Sequence, residues 1–165
     1  MKKLFALVAT ICLISCAGSS DKVAETYFKA VVSQQVSNPD KSLVVVAPLP
    51  TDSLRNAVVE SLSKAIQRDE NEIAVIDKDP QWIERYGSTN GLGVEAYRKV
   101  ITDRIDSINA LIETVKTKEF PAYYLCSYNG KNYMYVATED AANADDFKSF
   151  SILVRTITDD LKAGK

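Results

Sequence analysis

Two kinds of hydrophobic spacing alternate along the chain, and each predicts a type of secondary structure. Apolar side chains recur every three or four positions in several segments, which is typical of helices with one buried face. These segments are 21–36, 52–68, 94–118 and 145–161, and a further short helix at 80–87 is predicted because Asp79-Pro80 resembles a helix cap followed by a first-turn proline. Residues 43–47 and 73–76 are instead continuous apolar runs rich in β-branched side chains. Such runs predict strands that are buried on both faces.

The order of these elements predicts an α/β fold. A strand at 43–47, a helix and a strand at 73–76 form the βαβ pattern, in which a right-handed crossover joins two parallel strands. Asn129-Gly130 lies between two further apolar segments and best fits a type I′ turn, which predicts a hairpin over residues 123–137. We therefore expect a small sandwich of about four strands flanked by four or five helices, with the βαβ unit followed by the C-terminal hairpin.

The N-terminus has the form of a secretory signal. Lys2 and Lys3 precede an uncharged run at 4–15 that contains neither glycine nor proline. About twelve residues of helix reach roughly 18 Å, which is short of the roughly 30 Å apolar core of a membrane. A cleavable signal therefore fits this run better than a permanent transmembrane helix.

Leu13-Ile14-Ser15-Cys16 closes this run and resembles the lipobox of bacterial lipoproteins. The resemblance implies lipid transfer to the Cys16 thiol, cleavage after Ser15 and acylation of the new amino group. It also implies a protein anchored in the bacterial cell membrane by lipid, facing the periplasm or the exterior. Because Ala17 rather than Asp follows the cysteine, a Gram-negative host implies the outer membrane. The alternatives are an ordinary cleavable signal with a chance cysteine, or a buried N-terminal helix.

Processing at Cys16 would divide the chain into three parts. These are a signal peptide at 1–15, a lipidated tether at 16–20 and a single α/β domain at 21–165. About 150 residues suffice for one domain with its own core but are few for two. Loss of residues 1–15 removes two lysines and no acid, which takes the formal net charge from −2 to −4. This charge predicts no nucleic-acid partner.

The βαβ segment carries a second resemblance. The pattern VVVAPLP, then a helix, then IAVID is similar to the periplasmic α/β domains of curli-secretion lipoproteins and penicillin-binding-protein activators. The similarity covers residues 44–77 and implies the same parallel pair of strands. The glycine-bearing strand that often follows in those domains is not evident in this sequence.

The chain contains no histidine, and this absence narrows the chemistry. It excludes Ser-His-Asp and Cys-His catalysis within the chain, together with most zinc sites. After processing and lipidation, Cys126 would be a lone thiol with neither a disulfide partner nor an adjacent histidine to activate it. We therefore predict a protein that is not an enzyme and that needs no cofactor.

The hairpin carries the candidate binding residues. A two-residue turn places one set of side chains on a single face: Tyr124, Cys126, Tyr128, Lys131, Tyr133 and Tyr135. Exposed tyrosines offer apolar area with a polar tip, so this face would suit a peptide, a glycan or a protein. If a helix covers the face, the same rings belong to the core. Both interpretations stay open at this point.

Three functions follow from these features. The first is a membrane-anchored, non-catalytic binding or adaptor module of the cell envelope, which recognises an envelope protein or a cell-wall component. The second is a metal-dependent enzyme centred on Asp77 and Asp79, because carboxylates beyond a buried strand can hold a hard cation. The third is a structural envelope lipoprotein that self-associates through the long helix at 94–118.

Overall fold

The computed structural model of the chain describes residues 20–81, 92–136 and 148–164. These residues form helices α1 (Ser20–Gln35), α2 (Thr51–Lys78), α3 (Val94–Thr117) and α4 (Phe150–Lys162), and strands β1 (Val44–Pro48), β2 (Tyr123–Tyr128) and β3 (Lys131–Val136). The predicted signal peptide, Cys16 and most of the tether lie outside them, as does residue 147 and most of the short helix predicted at 80–87. None of the described helices is both long enough and apolar enough to cross a membrane.

The chain divides into two compact units, Met1–Leu54 with Glu119–Leu153 and Arg55–Lys118 with Val154–Lys165. The first unit contains an antiparallel sheet in the order β1-β2-β3. Asn129 and Gly130 both have positive φ, 46° and 76°, as a type I′ turn requires. The predicted hairpin is confirmed, and β1 pairs with β2 in antiparallel register, with Val46 opposite Cys126.

Helix α1 covers one face of this sheet. Its buried side chains recur at helical spacing and pack against β2 in one cluster of Ala24, Tyr27, Phe28, Val32, Tyr124 and Cys126. A short 3-10 turn, Lys41–Leu43, leads from α1 into β1. The Asp40 carboxylate caps this turn, accepting hydrogen bonds from the Ser42 amide at 2.9 Å and the Ser42 hydroxyl at 2.6 Å. Local sequence thus determines how β1 begins, whereas the packing of α1 against β2 determines which face of the sheet is buried.

The second unit is helical, and α2 and α3 run antiparallel in it. Their contacts show the direction, because Arg55 of α2 donates to the Val115 carbonyl while Glu72 of α2 accepts from Tyr97. The most buried apolar residues of α3 are seven positions apart, at Ile101, Ile108 and Val115. Seven residues make about two helical turns, so these three side chains share one face. The long helix predicted at 94–118 is confirmed.

The predicted four-stranded α/β sandwich is wrong. Residues 73–76 belong to α2, and the described residues form mostly helix with one three-stranded antiparallel sheet. Ile76 is fully buried against Ile101, with Ile73 packed beside it, whereas Val75 is 40% exposed. This alternation follows a helix, because a strand buried on both faces would also bury Val75. No glycine or proline lies between positions 51 and 79, so nothing in the sequence interrupts the helix.

This correction removes the βαβ unit and its parallel pair. β1 pairs with β2, which lies far along the chain, and not with a neighbouring parallel strand. IAVID at 73–77 was one of the two strands on which the similarity to curli-secretion lipoproteins and penicillin-binding-protein activators rests. Since that segment is helical, the fold implied by this similarity is not the one observed.

Candidate functional site

The tyrosine face of the hairpin lies under α1 over much of its length. Tyr124 is 4% exposed and Cys126 is fully buried, so for these two residues the helix-covered interpretation is the one observed. Tyr128 and Tyr133 are half-buried, and the Tyr133 ring lies 5.7 Å from that of Phe28 between centroids. The side chain of Tyr135 lies outside the described part of the chain. Binding through Tyr128, Tyr133 and Tyr135 stays a prediction.

The buried thiol of Cys126 on this face is poorly reactive. Burial raises the pKa of Cys126 to about 12, from an ordinary value of 9.0. A thiol with this pKa is almost entirely protonated at neutral pH, and the thiolate is the reactive form. Cys126 is therefore a core residue of the first unit.

Asp77 and Asp79 lie at the C-terminal end of α2 and not beyond a strand. Asp77 forms an ion pair with Arg98 at 2.5 Å between Oδ1 and Nη2. The Asp79 amide donates to the Val75 carbonyl at 3.0 Å and so continues the last turn of the helix. Within 20–81, 92–136 and 148–164, no cluster of three or more acidic or cysteine side chains is placed to hold a metal ion. The strand-end geometry that suggested a cation site is thus not present.

An open cavity of about 570 Å³ lies in the helical unit. Its lining comes from one stretch of α2, one stretch of α3 and the end of α4: Ala65, Arg68, Asp69, Glu72, Arg104, Ser107, Ile108, Leu111 and Lys162. Helix α4 has 13 residues, against 28 in α2 and 24 in α3. Lys162, the last residue of α4, is the part of that helix that lines the cavity.

The cavity contains an ion pair that joins α2 to α3. Arg104 donates from Nε to Asp69 Oδ2 at 2.7 Å and from Nη2 to Asp69 Oδ1 at 2.6 Å. Asp69 is only 8% exposed, and among the residues that the structure describes no other charged residue is buried. The hydrogen bonds to Asp69 raise the pKa of Arg104, so this cation keeps its charge. Two parallel bonds of this kind fix the guanidinium plane as well as its position.

Glu72 extends this network along α2. Its Oε2 lies 3.7 Å from Nη2 of Arg104, and its Oε1 accepts a hydrogen bond from the Tyr97 hydroxyl at 2.6 Å. The hydrogen bond to Glu72 is the main cause that raises the pKa of Tyr97. Both carboxylates of the cavity therefore already have partners within the protein.

Two cations of the cavity lack such partners. Arg68 and Lys162 are exposed, and neither forms an ion pair with a described residue. The Ser107 hydroxyl donates to the Asp103 carbonyl at 2.8 Å, so its proton is already engaged. Three cations and two carboxylates line the cavity, which leaves it with one excess positive charge. The arrangement can therefore bind an anion.

Sequence reasoning missed this site. Asp69 and Glu72 occupy the face of α2 that also buries Leu62, Ala65 and Ile76. The available signal was the polar run at 68–72, which interrupts a helical apolar stripe that resumes at Ile73. Because the sequence predicts the end of a helix at this run, it does not place Asp69 and Glu72 on a buried helix face.

Comparison with protein-family models, with curated proteins and with solved structures gave no match. The function proposed for the chain therefore rests on its own residues and their geometry.

Proposed function

We propose that this chain is a lipid-anchored, non-catalytic binding module of the bacterial cell envelope. The observation that carries the binding role is the cavity of the helical unit, where the exposed cations Arg68 and Lys162 line the same space as three apolar residues, Ala65, Ile108 and Leu111. A cavity of about 570 Å³ falls within the roughly 300–1,000 Å³ range of small-molecule sites. Its lining is more polar than that of most such sites, since five of the nine residues are charged and three are apolar, and this composition favours a charged ligand.

The proposed role needs no reacting group. The carboxylates of the cavity are held by Arg104 and Tyr97, and the one hydroxyl from α3 is directed at a backbone carbonyl. A general base must reach a proton of the substrate, and a nucleophile needs an activating neighbour. The described lining supplies charge and shape for recognition, which is what a binding module requires.

The anchoring role rests on the N-terminal pattern. Leu13-Ile14-Ser15-Cys16 is followed by the short, uncharged segment 17–20, which would tether the described units to the membrane. Two or three acyl chains on Cys16 would hold the protein firmly, since one chain alone binds reversibly. The partners proposed for such a module are an envelope protein or a cell-wall component on the periplasmic or exterior side of the membrane.

Metabolic labelling tests the anchor. Cells that express the full chain are fed an alkyne fatty acid, and the wild type is compared with Cys16→Ala and with Cys12→Ala as a matched control. We expect label and membrane fractionation in the wild type and in Cys12→Ala, and loss of both in Cys16→Ala. An unlabelled wild type, or label that persists in Cys16→Ala, would contradict the proposal.

The metal-dependent alternative gains no support from the geometry of α2. Asp77 is engaged by Arg98, and the described residues do not surround it with further acidic ligands. Metal binding by Asp77 and Asp79 would require the ion pair between Arg98 and the Asp77 carboxylate to break.

A further inference from the structure

The charged side chains of the cavity differ in whether they already have a partner among the described residues. Arg104 is committed to Asp69 through two hydrogen bonds, and Glu72 is shared by Arg104 and Tyr97. Arg68 and Lys162 are the remaining charged side chains of the lining, and they come from different helices. A cationic ligand would have to displace an existing partner of a carboxylate, whereas an anionic ligand would not.

The floor of the cavity favours an apolar group. Ala65 and Ile108 are each 5% exposed, and Leu111 is half-buried beside them. Water over such a surface is readily displaced by aliphatic carbon, because burial of apolar area is favourable. The cavity thus pairs a positive rim with an aliphatic floor.

We propose that this cavity binds a small aliphatic ligand with a carboxylate or phosphate head group. The head group lies between Arg68 and Lys162, and the aliphatic part covers Ala65, Ile108 and Leu111. Arginine binds such head groups through paired N–H donors, and lysine adds a compact charge. This inference rests on the proposed binding function and names the chemical class of its ligand.

Calorimetry of the full chain tests the proposal, with hexyl phosphate as the probe. The chain is reconstituted in phosphatidylcholine nanodiscs, or kept in buffer if it carries no lipid, and empty discs serve as the blank. We expect one molecule of hexyl phosphate to bind per chain. Arg68→Gln and Lys162→Gln should each weaken binding by about 10-fold, because each removes one hydrogen-bonding charge.

Arg155→Gln is the matched control. Arg155 is an exposed arginine on α4 that does not line the cavity and has no ion pair with a described residue. Its replacement should leave hexyl phosphate binding unchanged. If Arg155→Gln weakens binding as much as Arg68→Gln does, the effect is one of net charge and the proposal fails.

Two further arms separate the head group from the aliphatic part. Hexanol lacks the charge and inorganic phosphate lacks the chain, and we expect each to bind at least about 10-fold more weakly than hexyl phosphate. Ser107→Trp places a ring in the cavity from an exposed position, so it should abolish binding while the helical circular dichroism is kept. Full binding by Ser107→Trp, or equal binding of inorganic phosphate, would overturn the proposal.

The source of the ligand and the role of the anchor are tested separately. If discs that contain phosphatidylglycerol compete with hexyl phosphate in the wild type and not in Arg68→Gln, the head group comes from a membrane lipid. If they do not compete, the ligand is a free molecule of the same chemistry. Failure of the anchor would appear as loss of fatty-acid label with hexyl phosphate binding intact, and failure of the ligand proposal as the reverse.

Discussion

Replacement of Arg104 by methionine should destabilise the helical unit far more than replacement of an exposed lysine on the same helix. Methionine keeps most of the apolar stem of Arg104 but removes both hydrogen bonds to Asp69, at 2.6 and 2.7 Å. Asp69 is 8% exposed, so water replaces the lost partner poorly. The carboxylate is then left buried with its charge uncompensated.

The size of the effect follows from the exposure of the two partners. Removal of one partner of a fully buried pair costs about 3–5 kcal/mol of unfolding free energy. The Arg104 side chain is 49% exposed, so solvent already screens the pair in part. We therefore expect a loss of about 2–3 kcal/mol, which corresponds to a fall in Tm of about 4–12 °C.

Urea denaturation followed by circular dichroism measures this loss, and Lys99→Met is its control. Lys99 forms an exposed pair with Asp103 at 2.9 Å, so its replacement should cost at most about 0.5 kcal/mol. Asp69→Leu with Arg104→Met removes both charges, and we expect it to be about 1–2 kcal/mol more stable than the sum of the single losses predicts. If Arg104→Met proves as stable as Lys99→Met, the ion pair between Asp69 and Arg104 does not stabilise the helical unit as argued.

Three further predictions concern the core, the length of α2 and the hairpin turn. Because burial raises the pKa of Cys126 to about 12, its thiol should react with Ellman's reagent at pH 8 only as the protein unfolds. The folded state favours the neutral thiol, so the unfolding free energy linked to this group is fully present below pH 9.0 and is lost as the pH rises to about 12. In urea denaturation, Ile76→Ala should cost about 2–4 kcal/mol of unfolding free energy and Val75→Ala under about 1 kcal/mol, because only Ile76 is buried. Similar losses for the two variants would contradict the helix and favour a strand at 73–76. Gly130→Ala should cost about 1 kcal/mol, since φ is +76° with open space around the new methyl group, and an unchanged Tm would contradict the turn assignment.

The elements that could be predicted are those whose signals are local. Helix α3 carries a regular apolar face with charged residues between, and the hairpin is specified by Asn129-Gly130. Each signal acts through backbone preference and periodicity within one segment, so neighbouring sequence is enough to read it. The pairing of β1 with β2 is different, because it joins positions 44–48 to 124–128. Nothing near either strand specifies that partner.

The strand predicted at 73–76 shows where local reading fails. Four consecutive apolar residues fit a buried strand and a buried turn of helix equally well. The decision came from contacts with a second helix, because Ile76 packs on Ile101 and the polar residues before it also face α3. Once Asp69 has a partner on α3, the polar run at 68–72 no longer ends the helix, and α2 continues to Lys78.

The candidate site was out of reach of the sequence for the same reason. Asp69 appears in the sequence as one of several acids in a solvated stretch, and Arg104 as one of many charges on a long helix. Their meaning depends on the antiparallel alignment of α2 with α3, which places positions 69 and 104 face to face. The cavity also involves a third element, since Lys162 at the end of α4 lines it. A cavity lined by three helices leaves no motif in any one of them. Arg68 and Lys162, which form no ion pair with a described residue, therefore become recognisable only after the paired charges are known.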